Sequence, residues 1–305
     1  MASPRDPARE RRLGFVLGIG AYATWGVVPL FWHQLRGIDA IEILAHRAAW
    51  GLLAFALFVV ATRQVPALVA AARQPRAMAI LAGSGLLLAA NWGLFIWATL
   101  SGHLLQASLG YFINPLVSVA LGVGFLGERL SRRTLLAIAL ATVGVGWLAI
   151  TGGGVPWVAL ALAGSFGAYG LIRKVIAVPA LVGSTLETAV LAPVAIGYLA
   201  WLAHRGEGAL GHRGVRTHLL LVATGFVTAV PLAWFTAAAR RLPLSTIGFL
   251  QYLAPTGQFV TALAALGEHL SRRKLVAFGF IWVALAVFTV ELVRQARAPV
   301  QRAPA

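Results

Sequence analysis

Between Arg76 and Glu128 the chain carries no Asp, Glu, Lys or Arg. That run is far longer than the roughly 20 apolar residues one helix needs to cross a bilayer, so it must cross twice. The interval from Thr134 to Ile172 is equally free of charge, and Gly152, Gly153 and Gly154 mark the turn that divides it into two spans. A soluble domain cannot bury two such runs in one core. The composition agrees: 59% of the 305 residues are hydrophobic, 11% are charged and the mean hydropathy is +0.82.

The formal charge of +16 does not point to nucleic acid, because Lys and Arg sit in short clusters between apolar runs and form no stripe that could track phosphates. With no cysteine there is no disulfide framework, thiolate metal site or cysteine nucleophile, and no cofactor or metal is implied. Arg5, Arg9, Arg11 and Arg12 precede an apolar run containing Ala21-Tyr22-Ala23, the layout of a signal peptide. The apolar run continues to Trp32 and a matching segment recurs deep in the chain, so it reads as a first span.

Charge and Gly/Pro breaks predict ten spans, at 13–33, 39–61, 77–98, 105–126, 134–151, 156–172, 182–203, 217–238, 244–266 and 275–293. With both termini in the cytoplasm, 17 basic residues fall inside and 7 outside, which the positive-inside rule favours, although Arg272, Arg273 and Lys274 run against it locally. The expected location is the cell (inner) membrane, with tails at 1–12 and 294–305.

An internal repeat organises these spans. Gly127-Glu128-Arg129-Leu130-Ser131-Arg132-Arg133 recurs as Gly267-Glu268-His269-Leu270-Ser271-Arg272-Arg273, and Pro115 and Pro255 precede the two copies at the same spacing of 140. Gly20-Ala21-Tyr22 reappears as Gly167-Ala168-Tyr169, and Glu42 has its counterpart in Glu187. The fold expected is an all-α polytopic membrane protein of two five-helix repeats, 13–151 and 156–293. Five is odd, so the second repeat enters from the opposite side and the two are inverted, the usual construction of secondary transporters.

Several segments resemble the RarD group of the EamA-type transporters, within the drug/metabolite transporter superfamily. They are Glu42-Ile43-Leu44-Ala45-His46-Arg47, Asn91-Trp92-Gly93-Leu94-Phe95-Ile96-Trp97-Ala98 and Ala107-Ser108-Leu109-Gly110-Tyr111-Phe112-Ile113-Asn114-Pro115, together with Arg240 to Tyr252 and Phe280 to Leu285. The resemblance covers nearly the whole chain and implies ten helices, two EamA repeats and export or exchange of small molecules across the cell membrane. Where the group carries Glu before Ala-Ser-Leu-Gly-Tyr, this chain has Gln106, so no carboxylate role carries over there.

Ionisable side chains within spans cost several kcal/mol by insertion scales and normally face a cavity or a partner. Glu42, His46, Arg47 and Glu187 are the candidates. Glu42 and His46 lie about 40° apart on a helix, where the carboxylate could hold and charge the imidazole. Arg47, about 100° further round, could pair with a carboxylate or clamp an anionic substrate. The alternative is a structural ion cluster. Tyr111 and Asn114 before Pro115, and Gln251 and Tyr252 before Pro255, suit a midplane site at two bent helices, with interhelical hydrogen bonding as the balanced alternative. Asn91 is similar, and Trp92 is either a stacking wall or packing. Gly14 and Gly18 have the spacing of a helix contact. The Gly-Glu motifs read as helix-end structure, each Glu accepting from donors at the next helix start, and Arg173 with Lys174 reads as an interfacial anchor.

The function expected is alternating-access secondary transport of a small molecule, with protons as a partner through Glu42, His46 or Glu187, or with uncoupled exchange as the alternative. An intramembrane enzyme is disfavoured: no His-x-x-Glu-His, Gly-x-Ser-x-Gly or one-helix carboxylate pair occurs in the spans. No Gly-x-x-x-x-Gly-Lys-Ser/Thr segment supports an ATP-driven pump.

Overall fold

A computed structural model describes residues 7–126, 131–151, 155–242, 246–247 and 250–297. All regular structure among them is helical. In chain order the helices are α1 (Pro7–His33), α2 (Ala40–Ala61), α3 (Val65–Ala72), α4 (Pro75–Leu100), α5 (Leu104–Leu126), α6 (Arg132–Thr151), α7 (Trp157–Val175), α8 (Ala180–Arg205), α9 (Ala209–His212), α10 (Val215–Ala239), α11 (Leu253–Ala264) and α12 (Arg272–Arg297).

Among the described residues, eight helices are long and apolar enough to cross a membrane. Ten spans were expected; eight of them meet helices of that length, while α7, in the sixth, is a shorter apolar helix and α11, in the ninth, has twelve residues. The short helices α3 and α9 lie in segments expected to be loops. The Gly152–Gly154 turn and the Gly127-Glu128-Arg129 motif lie outside the described residues.

Local chemistry accounts for helix starts. Asp39 accepts from the Ile41 amide at 2.8 Å and begins α2, while proline near the first position of α3 and α4 has a fixed φ suited to a first turn. Pro29, Pro115, Pro193 and Pro231 lie inside helices.

The most extensive packing joins the first half of the chain to the second: α6 with α12, α5 with α7, α2 with α8 and α10, and α1 with α10 and α11. Helix α4 lies on α7 and α8, and α5 on α11. The pairings form matched sets, α1/α10 with α7/α4, α1/α11 with α7/α5, and α2/α10 with α8/α4. Small residues permit these approaches. A Cβ on Gly225 of α10 would collide with the carbonyl group of Trp50 in α2. The Gly14 and Gly18 spacing marks a contact too, against Leu242 and Leu250.

The largest apolar cluster packs Trp32, Leu35, Ile38, Ile43, Phe95 and Leu104 at the end of the bundle that holds the α1–α2 turn. Polar contacts tie the halves together at that same end. Arg213 donates to the Gly37 carbonyl at 2.6 Å, Arg216 donates to Gln34 at 2.7 Å, and the Ala209 amide donates to Glu42 at 2.6 Å. Glu268 accepts from the amides of Leu104 and Leu105, capping α5. The Gly-Glu motif was expected to cap its own next helix; this copy instead satisfies the orphan donors of a helix from the other half.

Candidate functional site

Between the halves lies a cavity of about 430 Å³, in the size range of small-molecule sites. Its wall is aromatic, with Trp25, Trp32, Trp92, Tyr111, Phe166 and Tyr169 among the contributors. Wall residues at the α7–α8 end are exposed or partly exposed, as at Ala180, Arg173 and Phe235, whereas Trp32, Arg47 and Phe95 are buried. The cavity therefore opens toward the α7–α8 turn and closes against the apolar cluster at the other end. A second depression, of about 590 Å³, is lined by Gln106, Trp157 and Arg272 to Lys274 at the α1–α2 end. It is larger but lies off the axis between the halves and gathers none of the intramembrane candidates, so the central cavity is the better site.

Arg47 is the charged centre of this cavity. Position 47 of α2 faces α1 and α4, and the guanidinium lies over the Trp92 ring at 3.9 Å from its centroid, with Trp32 at 5.4 Å. It is 9% exposed, its Nε has no hydrogen-bond partner, and it forms no ion pair among the described residues. Trp92 thus stacks on a guanidinium of the same half.

Tyr111, Asn114, Pro115, Gln251 and Pro255 all reach the wall, so the polar positions before the two prolines converge from α5 and from the turn that leads into α11. Asn91 stands one layer back: it accepts from the Tyr111 hydroxyl at 3.1 Å and donates to the Leu162 carbonyl at 3.0 Å and to Ser165 at 2.8 Å. That bracket fixes Tyr111 against α7. Tyr252 packs beside the wall against the main apolar cluster.

The remaining candidates separate. Glu42 spends an oxygen on Ala209, and His46 Nε2 lies 3.9 Å from it, too far for a hydrogen bond; neither side chain reaches the cavity. Both ring nitrogens of buried His46 lack a partner. Glu187 is 1% exposed and accepts from Ser84 at 2.7 Å and from Tyr169 at 3.2 Å, with Arg173 at 3.7 Å. It sits in the eighth position of α8, as Arg47 does in α2, while Glu42 lies in the first turn of α2. The expected counterparts Glu42 and Glu187 are therefore at different depths.

Arg173 was expected to be an interfacial anchor. Instead its side chain, 13% exposed, turns back to Glu187 and forms part of the cavity wall. The available signal was its spacing of four from Tyr169, which places both on one helix face. Trp25, Thr228, Phe235 and Gln258 were also missed, as apolar or lone polar positions without a motif. Among the described residues no group of His, Cys, Asp and Glu could hold a metal ion.

Comparison with known proteins agrees with this architecture. Residues 12–150 match the EamA-like transporter family. The chain is 45% identical to Protein RarD of Streptomyces exfoliatus, over 94% of this chain and 91% of that protein. It is likewise 45% identical to Protein RarD of Escherichia coli K12, over 94% and 97% respectively. An uncharacterized transporter of Vibrio cholerae is 43% identical over 93% of this chain and 94% of its own. One crystal structure is similar in fold, with a TM-score of 0.59 at 20% identity over 93% of this chain and 99% of that one. A helical bundle with eight membrane-capable helices, a cavity between its halves and relatives of this identity together make the chain a membrane transporter of the RarD-type EamA family.

Proposed function

We propose that the chain is a secondary transporter of a small molecule, with ten spans arranged as two inverted five-helix halves, 13–151 and 156–293, that expose the central cavity alternately to the two sides. The observation that carries this reading is the composition of the wall. Positions 140 residues apart line one cavity: Trp92 and Leu232, Phe95 and Phe235, Tyr111 and Gln251, Asn114 and Ala254, Pro115 and Pro255. Tyr22 and Tyr169, from the Gly-Ala-Tyr repeat, both line it too. A duplication that only enlarged a scaffold would have no need to bring equivalent positions to one ligand-sized space. The matched helix pairings support the same exchange of halves.

In the proposed orientation both termini are cytoplasmic, in the cell (inner) membrane, and the cavity is open to the cytoplasm. Glu187, beside the wall and bound to Arg173, is the carboxylate through which proton coupling would run. Glu42 is engaged as a cap and is a structural residue in this reading. No catalytic chemistry is assigned.

The absence of native cysteine makes the test direct. Gln34 and Arg216, hydrogen-bonded across the closed end, are replaced together by cysteine and the protein is placed in liposomes. Counterflow of a panel of amino acids, organic acids and chloramphenicol should stop on oxidation for any solute carried and return on reduction. Flux that survives the cross-link overturns alternating access. Impermeant maleimide should label Ser184→Cys from the cytoplasmic side; labelling confined to the other side overturns the orientation.

A further inference from the structure

We infer that the cavity takes a monoanionic organic acid with a flat apolar body, its carboxylate on Arg47 and its body between the aromatic walls. This deepens the transport reading and rests on the cavity being the transport site.

The argument starts from the cost of Arg47. A buried guanidinium without a counter-charge is expensive, and stacking on an aromatic face offsets only part of that cost. Stacking on Trp92 uses the face of the guanidinium and leaves its in-plane N–H groups unused, and Nε has no acceptor. Those edges form a planar fork that matches a carboxylate in two parallel hydrogen bonds. Arg47 is therefore held by its face and open at its edge, the geometry of a receptor for a planar anion.

Charge within the cavity fixes the valence. The other guanidinium of the wall, Arg173, faces Glu187 at 3.7 Å, and Glu187 also accepts from Ser84 and Tyr169. Those two charges cancel, leaving the single positive charge of Arg47. A monoanion balances it; a neutral solute leaves it buried and unpaired, and a dianion carries a surplus negative charge into the same space. A cation is opposed outright.

The walls define the rest of the molecule. Phe166 and Tyr111 meet edge to face at 6.0 Å between ring centroids, and Tyr22, Trp25 and Phe235 form a second aromatic cluster on the opposite helices. Flat apolar groups gain most from such surfaces through offset and edge-to-face contact.

The test is binding to the purified protein, measured by calorimetry and by fluorescence of the cavity tryptophans. The probes share one phenyl body: phenylacetate, phenylmalonate, 2-phenylethanol and phenethylammonium. Phenylacetate should bind about tenfold or more tighter than the other three, the scale of a hydrogen-bonded charge pair. Arg47→Gln should remove that preference, and Arg47→Lys should restore part of it. Glu187→Gln, which unmasks Arg173, should shift the preference toward phenylmalonate. The inference is overturned if phenylacetate does not bind, if the neutral or dianionic probe equals it, or if Arg47→Gln binds it as wild type does with an intact thermal melt. Oxidation-sensitive flux of solutes that is indifferent to Arg47 would sink the inference and leave the transporter standing. Arg47-dependent binding with no flux of any solute would do the reverse.

Discussion

Replacing Gly225 by alanine tests whether the crossing of α2 and α10 is as close as the cavity requires. The added methyl would collide with the Trp50 carbonyl group and lie 2.7 Å from the Gly51 nitrogen. Ordinary contact at a Cβ begins at 3.4 Å, so the helices must separate by at least about 0.7 Å to clear the Gly51 nitrogen alone. Every atom in the way is backbone, so no rotamer change can relieve it. Overpacking of this kind costs about 1–3 kcal/mol, and removing a glycine from a helix interior returns up to about 1 kcal/mol. The net expectation is a loss of about 1–2 kcal/mol.

Gly83→Ala supplies the control, because nothing lies within 4 Å of a Cβ there and only the propensity gain remains. Thermal unfolding in detergent, followed by tryptophan fluorescence, should rank Gly83→Ala above wild type and Gly225→Ala below it. The same separation should weaken phenylacetate binding, since Arg47 stands about one turn from Trp50 on α2 and Thr228 about one turn from Gly225 on α10, and both line the cavity. A Gly225→Ala protein that melts at or above wild type refutes the packing argument.

Glu268→Ala leaves the Leu104 and Leu105 amides without their acceptor and should cost about 1–2 kcal/mol in the same melt, with Glu268→Gln intermediate. Asn91→Ala removes three hydrogen bonds, each worth about 0.6 kcal/mol in a membrane, and should lower stability by about 1–2 kcal/mol while loosening Tyr111; an unchanged melt would show the bracket to be idle. Glu42→Gln keeps an acceptor for Ala209 and should transport and melt as wild type does, whereas Glu42→Leu should lose about 1 kcal/mol. Loss of transport in Glu42→Gln, with folding intact, would return Glu42 to the candidate proton path.

What could be read in the sequence divides by the range of the interaction. Helix positions follow from hydropathy, a local property, and the polar residues before Pro115 and Pro255 announce themselves by their place beside a proline. The charged candidates were harder. Glu42 and Arg47 lie about 140° apart on one helix, so they cannot share a face, yet only the neighbours of α2 decide which face meets the cavity. Arg173, beside Lys174, looks like any cluster at a helix end; its return to Glu187 depends on the α7–α8 turn bringing Gly183 against it, where a Cβ would collide with the guanidinium. Glu268 was read as a cap, but its partner lies in the other half, more than half the chain away, and no local pattern encodes that.

Arg47 and Glu187 occupy the same position in α2 and α8, and their opposite charges divide the labour between the halves. The second half neutralises its own carboxylate with Arg173, so in the proposed exchange no strong ion pair across the cavity would have to break. The first half leaves its guanidinium open, and much of the aromatic surface around it, Phe166, Tyr169 and Phe235, belongs to the second. An acid bound at Arg47 would therefore be gripped by both halves at once, its charge by one and its apolar body by the other. Only a solute with both parts bridges them, and an interaction that bridges is what can bias one arrangement of the halves over another. The asymmetry of charge within a symmetric wall is thus the feature that would let binding, and not thermal rocking alone, select which side the cavity faces.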